Sequence, residues 1–426
     1  MPFRRFIQTT RQFHQRTAYI AGGLAIGVAA WGFAELADQA QALFHRLADP
    51  YPLAVWIITP LGFVLCAFLA KHVFPNTAGS GIPQCIAAME MQDEGLRNRL
   101  LSLRVAFGKI VLTLLGLLCG ASIGREGPTV QVGASLMLVI GRVVKAEHRG
   151  LILAGSAAGI AAAFNAPLAG IVFTIEELSR AFESKTSGLI LTATILAGLA
   201  ATQLGGNYAY FGYASGELGS VADWAALLVT GLLCGLLGGC FAKAMIAFSA
   251  NKALQEKLGR TKRPLLFALG CGIVVAGCGW LSGGTTYGTG YREAYGIIHE
   301  HHLASWVSVP LKMIATWVSS LSGIPGGLFA PSLSVGAETG SLVAQVMPVS
   351  SATQFALLGM AAYLTGVLQS PITSTVIMAE MTDNHAMVVP LLACALIADM
   401  VSKAIHPRSL YHSLMTAYLP PHAVQG

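Results

Sequence analysis

The chain has 426 residues, of which 54% are hydrophobic and only 11% are charged. A soluble globular chain carries about 25% charged residues, so this composition excludes an ordinary soluble domain. The formal net charge of +6 would suggest a nucleic-acid partner in a soluble protein. In a membrane protein it follows from the excess of Lys and Arg in cytoplasmic loops. We therefore predict an all-α polytopic membrane protein with no nucleic-acid partner.

From the N-terminus, residues 1–16 predict a short basic amphipathic helix on the cytoplasmic surface, because their apolar and arginine side chains fall on different sides. No small-residue cleavage site follows the first apolar run at 18–34, so a signal peptide is not expected. The sequence ends soon after Tyr411, and we expect no soluble regulatory domain beyond it.

Charge-free stretches cover residues 151–175, 186–216, 264–291 and 339–379. Several of them are too long for one membrane crossing and too short for two. A spanning helix needs about 20 residues, whereas the strands of a transmembrane barrel are only about 10 residues long. Glycine and proline lie inside these stretches, which indicates broken, tilted or re-entrant helices.

The sequence Gly-Arg-Glu-Gly-Pro at 124–128 places two charges between apolar segments. A charge at that depth is costly and usually marks a functional site. Gly127 permits a sharp turn and Pro128 suits the first position of a helix, so we predict a helix start at Pro128. The unpaired N–H groups of that helix would face the carboxylate of Glu126.

An internal repeat covers most of the chain. The matching positions, 203 or 204 residues apart, are Pro128 and Pro331, Gly155 and Gly359, Pro167 and Pro371, and Glu176 and Glu380. We predict one transmembrane domain over 1–426 with repeat halves at 17–210 and 220–415. Ser322 to Pro325 also repeats Ser80 to Pro83, but outside this register, and we interpret it as the same local device used twice. Such halves are typical of transporters with a site near mid-membrane.

The repeat pairs the predicted helix start of the first half with one near Pro331. Two helix N-termini would then meet at the midplane, and glycines before Pro331 would leave the backbone N–H groups of Leu328 and Phe329 facing a ligand. Ser80 offers a hydroxyl in a third turn. Apart from Glu126, these turns contain no carboxylate for a cation, so we predict a small anion as the ligand.

Three motifs, in this order, resemble the anion-site motifs of the CLC family of chloride channels and chloride/proton exchangers. They are Gly-Ser-Gly-Ile-Pro at 79–83, Gly-Arg-Glu-Gly-Pro at 124–128 and Gly-Leu-Phe-Ala-Pro at 327–331. The resemblance extends to 164–170 and 380–383. It implies an inverted-repeat fold with broken and tilted helices, in the form without C-terminal nucleotide-binding domains. It also implies a homodimer in membrane lipid, in the cell membrane of a prokaryote.

The resemblance also implies roles for single residues. The central chloride would be bound by the hydroxyls of Ser80 and Tyr411 and by the backbone amides of Leu328 and Phe329. Glu126 would be the gating glutamate, and Glu177 the internal proton-transfer glutamate of exchangers. The other motif residues are Gly79, Gly81, Ile82, Pro83, Gly124, Arg125, Gly127, Pro128, Gly327, Ala330 and Pro331.

Two residues depart from the family pattern. Gln84 and Ile86 stand where some bacterial exchangers have acidic residues. We therefore expect that Lys109, which lies in an apolar helix, lacks a nearby partner.

The sequence thus predicts an antiporter of chloride and protons, with no enzymatic activity, cofactor or metal. A carboxylate and a chloride repel strongly in a low dielectric, so protonation of Glu126 would let it leave and chloride enter. Glu177 would pass the proton to the cytoplasm. A passive, gated chloride channel on the same fold is the first alternative. An intramembrane metalloprotease using the histidines at 299–302 is the second, although the sequence contains no H-E-x-x-H.

Each site residue also has a simpler interpretation. Glu126 could pair with Arg125 in a loop, and Glu177 could end a helix at the membrane interface. Tyr411 could belong to an interfacial aromatic belt. The hydroxyl of Ser80 could bond to the backbone of its own turn.

Overall fold

The structure, a computed structural model, describes residues 2–144, 146–179, 187–206 and 209–420. In these ranges the regular secondary structure is helical, apart from two isolated backbone bridges. The first part of the chain forms α1 (Pro2–Ala48), α2 (Val55–His72), α3 (Ile82–Glu90), α4 (Glu94–Leu100), α5 (Leu103–Leu118), α6 (Glu126–Arg142), α7 (His148–Phe164), α8 (Pro167–Phe173) with a following π-helical turn (Thr174–Ser179), and α9 (Ser187–Gly205). The rest forms α10 (Val221–Ala250), α11 (Lys252–Lys257), α12 (Pro264–Leu281), α13 (Tyr291–His299), α14 (Ser308–Leu321), α15 (Phe329–Val346), α16 (Ala352–Leu368), α17 (Pro371–Thr382), α18 (Val388–Ile405) and α19 (Leu410–Met415).

Within the described residues, seven helical segments are long and apolar enough to cross a membrane. They are Phe13–Ala48, Val55–His72, Glu94–Leu118, Gly188–Gly205, Val221–Ala250, Pro264–Leu281 and Val388–Ile405. Helices α7 and α16 are apolar but shorter, and nearly all their residues are buried. A helix that is apolar on every side belongs to the interior of a large fold. The prediction of an all-α polytopic membrane protein is confirmed.

Helix α1 is one continuous element from Pro2 to Ala48. The helix predicted over residues 1–16 is therefore the beginning of α1 and not a separate element. Thr17 could have capped a new helix, but its hydroxyl donates to the carbonyl of Phe13 at 3.0 Å, within the same helix. The side chains of residues 2–12 lie outside the described part, so their amphipathic arrangement stays a prediction.

The repeated glycines are the contact points of two equivalent helix pairs. Helix α6 packs on α7, and α15 packs on α16. A Cβ atom on Gly133 would collide with the backbone carbonyl of Gly155, and one on Gly336 would collide in the same way with that of Gly359. Small residues at such crossings let two helix backbones approach closely. The sequence repeat thus marks the same helix packing at both places, and the bounds of the halves at 17–210 and 220–415 stay a prediction.

Helices α8 and α17 are joined by a reciprocal pair of caps. The carboxylate of Glu176, in the π-helical turn after α8, accepts hydrogen bonds from the amides of Ile372 (3.1 Å) and Thr373 (2.7 Å) in the first turn of α17. Glu380, near the end of α17, does the same for two amides in the first turn of α8, at 3.1 and 2.7 Å. The two helices therefore run antiparallel about an approximate two-fold axis. Equivalent helices of opposite direction are what an inverted repeat produces.

Candidate functional site

The three motif turns meet at the centre of the structure and are held together by backbone hydrogen bonds. Gly124 donates to the carbonyl of Gly327 at 2.8 Å, and Gly327 donates back to Gly124 at 2.7 Å. Gly79 donates to the carbonyl of Ile324 at 3.0 Å, and Gly326 donates to that of Gly79 at 3.1 Å. The structure thus brings together the turns of both halves, as the sequence predicted.

Two glycines in these turns are needed for close approach. Gly81 has a φ of +103°, and a Cβ atom there would lie 2.8 Å from the side chain of Gln131. A Cβ atom on Gly327 would lie 2.9 Å from the amide nitrogen of Gly127. Real Cβ atoms essentially never come so close, so the turns can interlock only with glycine at these positions.

The two central helices begin earlier than predicted. Helix α6 starts at Glu126 and α15 at Phe329, so Pro128 and Pro331 are each the third residue of the helix. The prediction of a start at the proline was wrong by two residues in both halves. The first four N–H groups of a helix have no partner within it, and proline is therefore tolerated throughout the first turn.

Glu126 lies at the N-terminus of its own helix and beside that of α15. Its side chain is buried, with 1% exposure, and its carboxylate faces the backbone amide of Ala330. One carboxylate oxygen, Oε2, has no hydrogen-bond partner among the described groups. The ion pair of Arg125 is instead with Asp38 at 2.8 Å, and its guanidinium also donates to the carbonyl of Ala34 at 2.6 Å. The simpler interpretation, a direct Glu126–Arg125 loop pair, does not match this geometry.

A cavity of about 160 Å³, here called the central cavity, opens beside these turns. Its lining includes Ser80, Gly326, Leu328, Tyr411, Arg260 and Tyr418. The hydroxyls of Ser80 and Tyr411 are buried and face each other, and neither bonds to any other described group. Ser80 therefore does not bond to the backbone of its own turn. Two hydroxyl donors are left available at the cavity.

Tyr411 is fully buried and does not belong to an interfacial belt. Its ring stacks on that of Phe329 with centroids 6.5 Å apart. Phe164 and Phe173 pack edge-on against the same phenyl ring, at 5.6 and 5.9 Å. This aromatic cluster fixes the start of α15 against the last helix of the chain.

Glu177 lies in the π-helical turn after α8 and is also buried, with 2% exposure. The capping role belongs to the preceding residue, Glu176. The carboxylate of Glu177 accepts a hydrogen bond from the Ser370 hydroxyl at 2.9 Å through Oε2. Its Oε1 atom lies 3.6 Å from Nδ1 of His412. The Tyr411 hydroxyl interacts electrostatically with both Glu177 and Glu126.

Lys109 has partners, contrary to the expectation from the sequence. Its ammonium donates to the carbonyls of Thr77 at 2.7 Å and Gly79 at 2.8 Å. Gln84 donates to the carbonyl of Ala78 at 2.7 Å. The expectation was wrong because it considered only acidic side chains, whereas these acceptors are backbone oxygens. Together, Lys109 and Gln84 hold the turn that carries the Ser80 hydroxyl.

The second half contains an equivalent of this turn that the sequence interpretation missed. Thr-x-Gly-x-Gly at 77–81 recurs at 286–290. Lys312, 203 residues after Lys109, donates to the carbonyls of Thr286 and Gly288, both at 3.0 Å. The interpretation of 322–325 as the local device of 80–83 was wrong, because Ser322 follows the end of α14, whereas a helix begins at Ile82.

The two equivalent turns differ in one respect. Thr289, the counterpart of Ser80, uses both its amide and its hydroxyl to donate to the side-chain oxygen of Gln41, at 2.8 and 2.9 Å. Only the turn of the first half therefore leaves its hydroxyl available for a ligand.

The histidines at 299–302 do not form a metal site. His299 contacts the carbonyl of Phe211, and His302 contacts the carboxylate of Glu300 at 3.3 Å. In the described ranges no three His, Cys, Asp or Glu side chains are close enough to share a metal ion. Of the eight cysteines, seven are buried and Cys240 is exposed.

A family model described as "Voltage gated chloride channel" matches residues 61–403. Among solved structures, a slow cyanobacterial Cl⁻/H⁺ antiporter is similar, with a TM-score of 0.80 and 24% identity over 95% of this chain and 97% of that chain. A CLC-type fluoride/proton antiporter gives a TM-score of 0.77 with 22% identity over 93% and 98% of the two chains. A eukaryotic CLC transporter gives 0.73 with 18% identity over 95% and 74%. The CLC fold predicted from the motifs is confirmed by this likeness.

Proposed function

The chain belongs to the voltage-gated chloride channel (CLC) family, whose model matches most of its length, and from this premise we propose that it exchanges chloride for protons across a membrane. Members of this family are transporters or channels rather than enzymes. The observation that carries the proposal is the pair of buried hydroxyls of Ser80 and Tyr411, which face each other at one cavity beside the start of α15 and bond to no other described group.

The central cavity suits a small anion. A hydroxyl can donate one hydrogen bond, and the first N–H groups of α15, at Leu328 and Phe329, have no partner within the helix. The N-terminal end of a helix also carries a partial positive charge, which favours negative ligands. We propose chloride as this ligand, bound by the two hydroxyls and the two amides.

Glu126 is proposed as the gate of the pathway. Its carboxylate lies where the N-termini of α6 and α15 converge, a position that would equally attract chloride. Two negative charges a few ångströms apart repel strongly in a low dielectric, so carboxylate and chloride exclude each other. Protonation removes this repulsion and releases the side chain. Each opening of the gate to chloride would therefore take up one proton.

We propose that Glu177 exchanges the proton carried by Glu126 with the cytoplasmic side of the membrane. Glu177 is not among the described residues that line the central cavity. A proton bound to Glu177 would therefore follow a route separate from that of chloride. Its burial and its hydrogen bond with Ser370 support a proton-transfer role more than a helix-end role. The mouth of the cavity includes Arg260, and the neighbouring segment 252–263 is rich in Lys and Arg. By the positive-inside rule we propose that this mouth faces the cytoplasm.

We also propose a homodimer in the lipid of a prokaryotic cell membrane. Helices α8 and α17 are short, and together with the π-helical turn after α8 they expose the apolar side chains of Leu168, Ile175 and Ile372. The carboxylates of Glu176 and Glu380 already accept hydrogen bonds from the amides of these helices. We propose that a second copy covers the exposed apolar side chains. Cross-linking of a single cysteine placed at Ile372 would test the contact.

The deciding experiment measures proton flux in proteoliposomes that hold the full chain, under a chloride gradient and with no pH gradient. An antiporter will drive protons uphill against the resulting potential. Chloride flux without proton movement would overturn the antiport proposal and make the protein a passive channel on the same fold. An empty-liposome sample and a fluoride gradient serve as controls for leak and for the anion.

A further inference from the structure

We propose that His412 is a second proton-transfer residue, which carries protons between the cytoplasmic solution and Glu177. This inference rests on the antiport function proposed above and adds a residue that lies outside the three motifs. Glu177 has only 2% exposure, so its carboxyl group needs another group in order to exchange protons with water. The side chain of His412 is next to it and is 22% exposed.

The short helix α19 separates two neighbouring functions. Successive residues of a helix point about 100° apart, so Tyr411 and His412 face different surroundings. Tyr411 is buried against Phe329 at the central cavity. His412 instead turns toward Glu177, with its Nδ1 atom 3.6 Å from Oε1 of the carboxylate. One element would thus hold a chloride ligand and a proton donor side by side.

Hydrogen bonds around the pair leave one oxygen ready for a proton. The Ser370 hydroxyl donates to Oε2 of Glu177 at 2.9 Å. The other oxygen, Oε1, is buried and has no hydrogen-bond partner in the described part of the chain. The Ser409 hydroxyl lies 3.1 Å from Nδ1 of His412 and holds the ring near this oxygen. The approach of Nδ1 to Oε1 is therefore the natural place for a transfer.

The other charged groups around α19 do not compete for this role. The helices packed on α19 are α3, α10 and α16. Their charged residues are Glu90 at the end of α3, and Asp223 and Lys243 on α10, while α16 has none. Asp223 accepts hydrogen bonds from Ser220 and Ser350, and Lys243 faces His406. Glu177, from the π-helical turn, is the carboxylate that pairs with His412 in the described residues.

The transfer is a simple acid–base step. A hydronium ion from the cytoplasmic solution protonates the imidazole and leaves water, and the imidazolium then loses its Nδ1 proton to Oε1 of Glu177. The N–H bond breaks as the O–H bond forms, and a neutral ring and a neutral carboxylic acid remain. Histidine changes charge within the physiological pH range, and a transfer needs a separation of about 2.6–3.2 Å or one bridging water. The present distance of 3.6 Å between Nδ1 and Oε1 lies above that range, so the step requires the ring to move closer or one water to bridge the two atoms.

The test uses His412→Gln in the full chain, reconstituted in proteoliposomes, with His72→Gln as the matched control. Gln can still hydrogen-bond to Ser409 but cannot carry a proton. His72 is an exposed histidine at the end of α2 whose ring contacts the carbonyl of Phe68. We expect His412→Gln to lower chloride-driven proton transport by about tenfold, since positioned acid–base groups contribute at least about a hundredfold and water replaces part of this. His72→Gln should transport protons like the wild type.

Imidazole in the buffer then distinguishes proton transfer from a structural role. Added to the same His412→Gln vesicles, it should restore proton transport at least threefold, and it should not accelerate the wild type or His72→Gln. The comparison is made within one sample, so it does not depend on the folded fraction. The role of His412 would be overturned if His412→Gln transported protons like the wild type. It would also be overturned if His412→Gln were slow and imidazole did not restore its proton transport. If the wild type itself moved no protons, the antiport proposal would fail first, and the proton-transfer role of His412 would fail with it.

Discussion

Lys109→Met tests whether the buried ammonium places the Ser80 turn. The substitution removes two hydrogen bonds, of 2.7 and 2.8 Å, to the carbonyls of Thr77 and Gly79. The buried carbonyl of Thr77 loses its partner, which costs about 1–3 kcal/mol, whereas the carbonyl of Gly79 keeps its bond from Gly326. Removal of the ammonium also removes the cost of its burial, so we expect the lower end, about 1 kcal/mol. The Ser80 hydroxyl should then shift away from the central cavity.

The effect on the ligand follows from this shift. A hydrogen bond to a charged group contributes about 1.5–3 kcal/mol, so loss of the Ser80 hydroxyl from the site should weaken chloride binding by at least tenfold. The assay is titration calorimetry of the purified variant with chloride in detergent. Its melting temperature is measured in the same buffer, so that binding and stability can be separated.

Lys312→Met is the control from the second half. Lys312 makes the equivalent bonds to Thr286 and Gly288, and it also lies near the carboxylates of Glu293 and Glu338. Its removal should therefore destabilise the protein at least as much. Chloride affinity should change less than twofold, because the equivalent hydroxyl, that of Thr289, is already bonded to Gln41. Equal loss of chloride affinity in the two variants would refute the reasoning, since general destabilisation would then explain both.

Three further substitutions test the proposed roles. Glu126→Ala should abolish proton movement while chloride flux continues, because no carboxylate remains to carry the proton or block the anion; a variant that still pumps protons would exclude the gate role. Glu177→Gln should uncouple chloride from protons in the same flux assay, and unchanged coupling would exclude internal transfer. Ser80→Pro removes a hydroxyl donor and should shift preference from chloride toward nitrate in competition flux measurements; unchanged selectivity would count against Ser80 as a ligand.

The sequence by itself determined the class of the fold and the place of the site. Low charge and long apolar stretches require helices in a membrane, because lipid cannot satisfy an open backbone. The repeated positions at 128 and 331, and at 155 and 359, indicate two halves from the sequence alone. The glycines of the three motifs indicated where the backbone must turn sharply. These features can be predicted from the sequence because each depends on the residue type at one position or on a fixed spacing.

The tertiary structure alone decided which groups meet. The observed helices start at Glu126 and Phe329, whereas the predicted starts were Pro128 and Pro331. The sequence does not fix the first residue because many residue types can occupy the first turn. Lys109 donates its hydrogen bonds to backbone carbonyls. Every residue has such a carbonyl, so no sequence pattern indicates which one will be the acceptor.

The contact of His412 with Glu177 joins segments from opposite halves of the chain. The contact depends on how α19 packs against the rest of the structure, and neither residue carries a local signal for the other. Local sequence can specify turns, helices and repeats because their hydrogen bonds are short-range. The pairing of buried polar groups is set by the global packing of the helices, and for that reason only the three-dimensional structure reveals it.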